Sequence, residues 1–109
     1  TFTSALSDIQ LEQIPELRDA DIVNLHWVAG ILDYPTVPLA LRDKKIVWTL
    51  HDMNPFTGGC HYSGDCDKYK ESCGACSQLG SAAEDDLSRH NWNQKYYAFQ
   101  NLNINIILN

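Results

Sequence analysis

Three short apolar runs separated by long connections constrain the fold of this chain more than any other feature. They are Asp21-Ile22-Val23-Asn24-Leu25-His26-Trp27, Lys45-Ile46-Val47-Trp48-Thr49-Leu50-His51 and the span from Asn103 to Leu108. Each is rich in Ile, Val and Leu and bounded by polar or turn residues, which reads as a strand. Continuous rather than alternating apolarity suits strands covered on both faces, as in a parallel sheet. The 17 residues from Val28 to Lys44 are too many for a tight hairpin and enough for a crossover. Pro35 and Pro38 confine any helix there to a short piece near Val37–Arg42. Upstream, Ser7-Asp8 offers an N-cap to a helix containing Ile9, Ile14 and Leu17, which Pro15 interrupts or restarts. Downstream, Ser81–Asn101 reads as a helix. Leu87, Trp92, Tyr96 and Phe99 recur at roughly helical spacing, with Asp85 and Asp86 near the start. The order helix, strand, crossover, strand, loop, helix, strand predicts an α/β fold with a parallel sheet.

A chain of 109 residues is one domain at most. Its net charge of −6 and the absence of any basic run longer than Lys44-Lys45 give no long-range attraction for nucleic acid, which is not expected as a partner. No apolar stretch approaches the roughly 20 residues that span a bilayer. The first residue is not Met, and the sequence ends on the strand-like Ile104-Asn105-Ile106-Ile107-Leu108-Asn109. We therefore expect residues 1–109 to be a single, partial domain of a larger protein.

All four cysteines fall in one span, Cys60-x5-Cys66-x6-Cys73-x2-Cys76, within a cysteine-rich loop over residues 53–80. That loop follows the second strand, and ligands of open α/β sheets bind outside the carboxyl ends of strands. Cys73-Gly74-Ala75-Cys76 has the form of a metal knuckle: two intervening residues let both thiolates face one ion, and Gly74 relieves the backbone. Four thiolates make a closed tetrahedral zinc site, structural because no position stays open for chemistry. His61 is an alternative ligand in place of one cysteine. The competing arrangements are two disulfides, which suit small secreted domains, redox pairs, or cysteines left unbridged. The parallel α/β pattern favours structural zinc.

His51 ends the second strand and His26 the first. If the strands are parallel neighbours, both imidazoles stand at one sheet edge, where they can donate to a sugar hydroxyl or a phosphate, or transfer protons. Either histidine alone would more commonly pack and bond to backbone. Asp52 can orient His51, bind a hydroxyl, or cap the turn before Asn54-Pro55. Thr57-Gly58-Gly59 is a turn whose backbone N–H groups can meet an anion, although Gly-Gly is usually only a turn. His90 and Trp92 read as surface or packing residues, and Tyr96, Tyr97 and Phe99 as core and partly exposed faces.

Four stretches carry a resemblance to a known family. They are Ala20-Asp21-Ile22-Val23-Asn24-Leu25-His26-Trp27, Ile46-Val47-Trp48-Thr49-Leu50-His51-Asp52-Met53, Pro55-Phe56-Thr57-Gly58-Gly59-Cys60-His61-Tyr62 and Cys73-Gly74-Ala75-Cys76-Ser77-Gln78-Leu79. Together they resemble bacterial glycosyltransferases of the group 1, family 4 type that build surface polysaccharides. Asn54 departs from that pattern, where Trp is expected, and so does Ser77, where Pro is expected. The resemblance implies a GT-B enzyme of two Rossmann-like domains, of which this chain covers the middle of the N-terminal, acceptor-side domain. It implies a retaining sugar transfer from a nucleotide-sugar donor to a glycan or lipid-linked acceptor, without a catalytic metal. It places His51 and the adjoining Asp52 at the reaction centre. The cysteines Cys60, Cys66, Cys73 and Cys76 become an accessory zinc or redox element, while His26, Thr57, Gly58 and Gly59 are expected to bind substrate on the chemistry given above. A cytoplasmic enzyme, peripherally associated with the inner face of the cell membrane, is implied as well. Without the donor-binding domain the chain is expected to be inactive, and its exposed apolar surface would favour dimerisation. The competing function is a small zinc- or disulfide-stapled module that binds glycan or protein without catalysis.

Overall fold

A computed structural model describes residues 1–108. Strands β1 (Ile22–Leu25), β2 (Lys45–Leu50) and β3 (Asn103–Leu108) form one sheet in the order β1-β2-β3. Both pairings are parallel, with Val23 beside Ile46 and Ile46 beside Ile104. The three expected strands are therefore present and parallel, the first two slightly shorter than the apolar runs. Helix α1 is Pro15–Asp19, α2 is Val37–Ala40 and α3 is Leu87–Phe99. Among the described residues no helix is long and apolar enough to cross a membrane.

The prolines act as expected. Pro15 opens α1 at its first position, where a missing N–H costs nothing. Pro38 lies in the first turn of α2, which ends near the predicted boundary. The helix start expected at Ser7-Asp8 does not form. Ser7 instead accepts from the Ile9 N–H within a turn and donates its own N–H to Asp33. A single 3-10 turn, Leu11–Gln13, precedes α1. Lys44 closes the other end of α1, donating to the carbonyls of Arg18 and Ala20.

A sheet that winds steadily in one direction with right-handed crossovers carries its helices on one face. The core lies on that face. Val23, Ile46 and Trp48 are buried there with Tyr34, Val37, Leu41 and Ala98. Trp48 donates its indole N–H to the His26 carbonyl at 3.1 Å, and the edge of Phe99 meets the rings of both Trp48 and Tyr34. The other face carries Ile22, Asn24, Val47, Asn105 and Ile107 and stays largely open. Ile22 is 62% exposed and Ile107 49%. The sequence reading of strands covered on both faces is thus corrected: only the helix side is covered. β3 is an edge strand, and Leu108 is 81% exposed.

Helix α3 also departs from its apolar periodicity. Its buried residues are Ser88, Asn91, Lys95 and Ala98, whereas Leu87 and Tyr96 are 48% and 50% exposed. The buried stripe is polar because it faces backbone. Asn91 donates to the Gly58 carbonyl at 2.9 Å, Lys95 to the Asn54 carbonyl at 2.6 Å, and Ser88 accepts from the Gly74 N–H at 3.0 Å. The approach is close enough that a Cβ on Gly58 would collide with the Ser88 backbone. Asp86 caps the helix by accepting from the Arg89 N–H.

Because the central strand is buried on one face and the other is open, the two faces should tolerate truncation differently. Ile46→Ala should cost about 2–5 kcal/mol. Ile107→Ala should cost about 0.5 kcal/mol. Urea unfolding of both variants measures the difference, and equal costs would contradict a one-sided core.

Candidate functional site

The carboxyl ends of β1 and β2 point the same way because the strands are parallel, and the residues that follow them meet. His26 Nδ1 lies 3.0 Å from His51 Nε2, with the rings stacked at 5.3 Å. One ring must donate and the other accept, so at least one imidazole is neutral while the bond exists. Both histidines are exposed. With Trp27, Val28, Asp52 and Pro55 they line a shallow surface cleft.

Asp52 organises the rim of this cleft. One carboxylate oxygen accepts from the Trp27 indole at 2.7 Å and from His61 Nδ1 at 2.5 Å, and the other accepts from the Asn54 N–H at 2.9 Å. The Asp52 and His61 side chains are each only 8% exposed. Burial alone would raise the Asp52 carboxyl, but the bonds from His61, the Asn54 N–H and Trp27 outweigh it and hold the group below the usual carboxylate range. The other ring nitrogen of His61, Nε2, lies 2.9 Å from the Thr3 hydroxyl, so the imidazole is held from both sides. Trp27 stacks on His61 at 5.7 Å yet remains 54% exposed, so an aromatic face stands fixed at the cleft.

Of the three roles open to Asp52 in the sequence, turn capping is realised. Its imidazole partner here is His61, whose part in the site the sequence did not signal. His61 was a possible metal ligand, but both ring nitrogens face protein partners. Thr57, Gly58 and Gly59 are buried. The Gly59 N–H points to Thr57 Oγ1 and the Gly58 N–H to Cys73 Sγ, so this turn bonds to the protein itself.

Lys95 is the other residue that sequence reading passed over. It is 2% exposed, and its ammonium donates to the Asn54 carbonyl while lying 5.2 Å from the centre of the Tyr34 ring. Burial pulls its pKa down to about 8, against the opposing pull of Cys60, Cys73 and Asp52. Asn54 thus bonds on three sides: to Lys95, to Asp52, and through its side-chain amide to the Gly59 carbonyl at 2.8 Å. The signal that could have found Lys95 is a lysine at helical spacing from Ser88 and Asn91 on an otherwise short-chain polar stripe.

The four cysteines are unpaired thiols that line one small cleft, together with Gly58 and Gly59. Burial pushes the Cys73 thiol up, the Gly58 N–H pulls it back, and Cys60, Cys66 and Cys76 add to the rise, which places all four within electrostatic reach. As the side chains stand, no three Cys, His, Asp or Glu groups among the described residues form a metal-holding set. Comparison of the chain with protein-family models, with curated proteins and with solved structures finds no match.

Two pH dependences follow. The depressed Asp52 value stabilises the fold above the ordinary carboxylate pKa of about 3.9, and that contribution fades as pH falls toward the lower folded value. In Asp52→Asn the stability gap from the parent should therefore be widest near neutral pH and narrow below about pH 4, read by urea midpoints across pH. A gap constant with pH would contradict it. Lys95 follows the same sign in a higher pH window. Its folded pKa lies below its unfolded one, so the unfolded chain holds the proton more tightly and stability rises as pH climbs from about 8 toward 10.4. That rise, measured as the difference between the parent and Lys95→Met, should be absent from the variant.

Proposed function

We propose that this chain is the acceptor-side domain of a retaining glycosyltransferase, one Rossmann-like half of a GT-B enzyme whose donor-binding domain belongs to a longer protein. Residues 53–80 would then be a cysteine-rich insertion on that half. The observation that carries the reading is the His26–His51 pair at the carboxyl edge of the sheet, in contact across 3.0 Å and beside an ionised Asp52. It joins the motif resemblance to a place where α/β sheets bind ligands.

The chemistry of the rim fits a sugar. Exposed imidazoles can bond hydroxyl or phosphate oxygens and pass protons near neutral pH. Trp27, pinned through its indole N–H, offers the apolar face of an amphipathic ring to the carbon–hydrogen face of a sugar. His51 would meet the sugar and phosphate of the nucleotide-sugar donor, with His26 setting its orientation. Asp52 would hold the rim through Trp27 and His61. The acceptor is a glycan or lipid-linked glycan, and the setting is the cytoplasm at the inner face of the membrane. The alternative is a module that binds glycan without catalysis.

A transfer assay on the full-length protein, with nucleotide sugars and an oligosaccharide acceptor, separates these readings. Sugar transfer is expected from the full-length protein and not from residues 1–109 alone. His51→Ala should lower kcat about 100-fold or more. Trp27→Ala should mainly weaken acceptor binding. Oligosaccharide binding with no transfer by the full-length protein would favour the binding module. Turnover by residues 1–109 alone would overturn the two-domain reading.

A further inference from the structure

We propose that Cys60, Cys66, Cys73 and Cys76 bind one zinc ion as four thiolates, and that the ion staples the loop to the first turn of α3. The proposal is independent of the glycosyltransferase reading, because it rests on the loop alone. All four thiols are unpaired and line the same cleft. The backbone of the knuckle is already bent for it. Cys73, Gly74 and Ala75 all have positive φ, at 56°, 112° and 44°. Two of the three are not glycine, a strained run that persists only where its surroundings hold it.

Those surroundings are a shell of donors and cations. The Gly58 N–H points at Cys73 Sγ at 3.3 Å, the kind of bond that offsets charge on a metal-bound sulfur. The Gly74 N–H donates to Ser88 and the Cys76 N–H to Asp86, both at the start of α3. Arg89 donates to the Cys73 carbonyl at 3.0 Å and Lys68 to the Gly74 carbonyl at 3.3 Å. Both cations also pair with Glu84, Arg89 at 3.1 Å and Lys68 at 3.9 Å, so they tie the knuckle backbone to the segment before α3. A Cβ on Gly74 would run into the Glu84 carbonyl, so the knuckle lies close against the segment before α3. Binding converts four S–H groups into four Zn–S bonds and releases four protons, so affinity should rise with pH. The ion would draw the four side chains together from the cleft they already share.

Cys60 adjoins His61, so the same ion would steady the Asp52 network. Native and denaturing mass spectrometry of the reduced chain supplied with zinc tests the proposal. One zinc per chain, lost on denaturation with four free thiols, is expected. Those thiols should resist alkylation until a chelator is added, and cobalt in place of zinc should give thiolate-to-metal charge-transfer bands. The Cys73→Ser/Cys76→Ser variant should lose the ion and His61→Ala should keep it. If the double variant does not fold, the alkylation and cobalt readings on the parent chain decide. Four reactive thiols in the presence of zinc, or a mass deficit of four hydrogens from two disulfides, would overturn the proposal. Loss of zinc in His61→Ala would overturn the four-cysteine ligand set.

Discussion

The contact on which the rest of the structure depends is the buried ammonium of Lys95 against the carbonyl of Asn54. A cation removed from water is costly, and here a backbone oxygen and an aromatic face receive it, with the charge of Asp52 within reach. Through Asn54 the contact reaches the N–H that holds Asp52 and the amide that holds Gly59. Asn91 and Ser88 continue the grip along the same helix face. A segment with only short 3-10 turns of its own thereby obtains partners for buried backbone groups that a sheet or a longer helix would otherwise provide. The fold has little apolar surface to spend on this loop, and hydrogen bonds from one helix replace it.

The sheet contributes direction. Two parallel pairings send the ends of all three strands to one edge, and the residues after β1 and β2 become neighbours although 25 positions separate His26 from His51. The indole of Trp48 fastens this edge from beneath by bonding the His26 carbonyl. Thr3 reaches the same site from the start of the chain, through His61 and through the bridge between Phe2 and Cys60. The histidine cleft and the cysteine cleft are therefore built from adjoining residues of one loop, and Asp52 and Cys60 are linked through His61.

Much of this was legible in the sequence. The strands stand out because Ile, Val and Leu cluster where polar residues bracket them. The pairing of His26 with His51 follows once those strands are taken as parallel neighbours. The bounds of α2 follow from proline chemistry. Other parts were not legible, for identifiable reasons. Periodicity assigns Leu87 and Tyr96 to the buried side of α3, but the surface it packs on is made of carbonyls and N–H groups, which select Ser88, Asn91 and Lys95. Ser7 is a good cap in isolation, but Asp33, distant in sequence, engages its backbone. Covered strands were expected from continuous apolar runs, yet Ile22 and Ile107 face outward, because periodicity reports the composition of a strand and not how many layers the chain supplies to cover it. His61 and Thr3 carry no local signal, since their roles arise only when the start of the chain lies against the loop.

The polar stripe of α3 also bears on how the molecule opens. Where two elements are joined by apolar contact, one can slip from the other and both keep their own hydrogen bonds. Here the helix and the loop complete each other, so separating them strands donors and acceptors on both sides at once. The loop around Gly58 and the middle of α3 should behave as one cooperative unit, with their slow-exchanging amide protons lost together in a single sub-global event. The edge strand β3, with its exposed face, has no such tie and is free to fray on its own schedule.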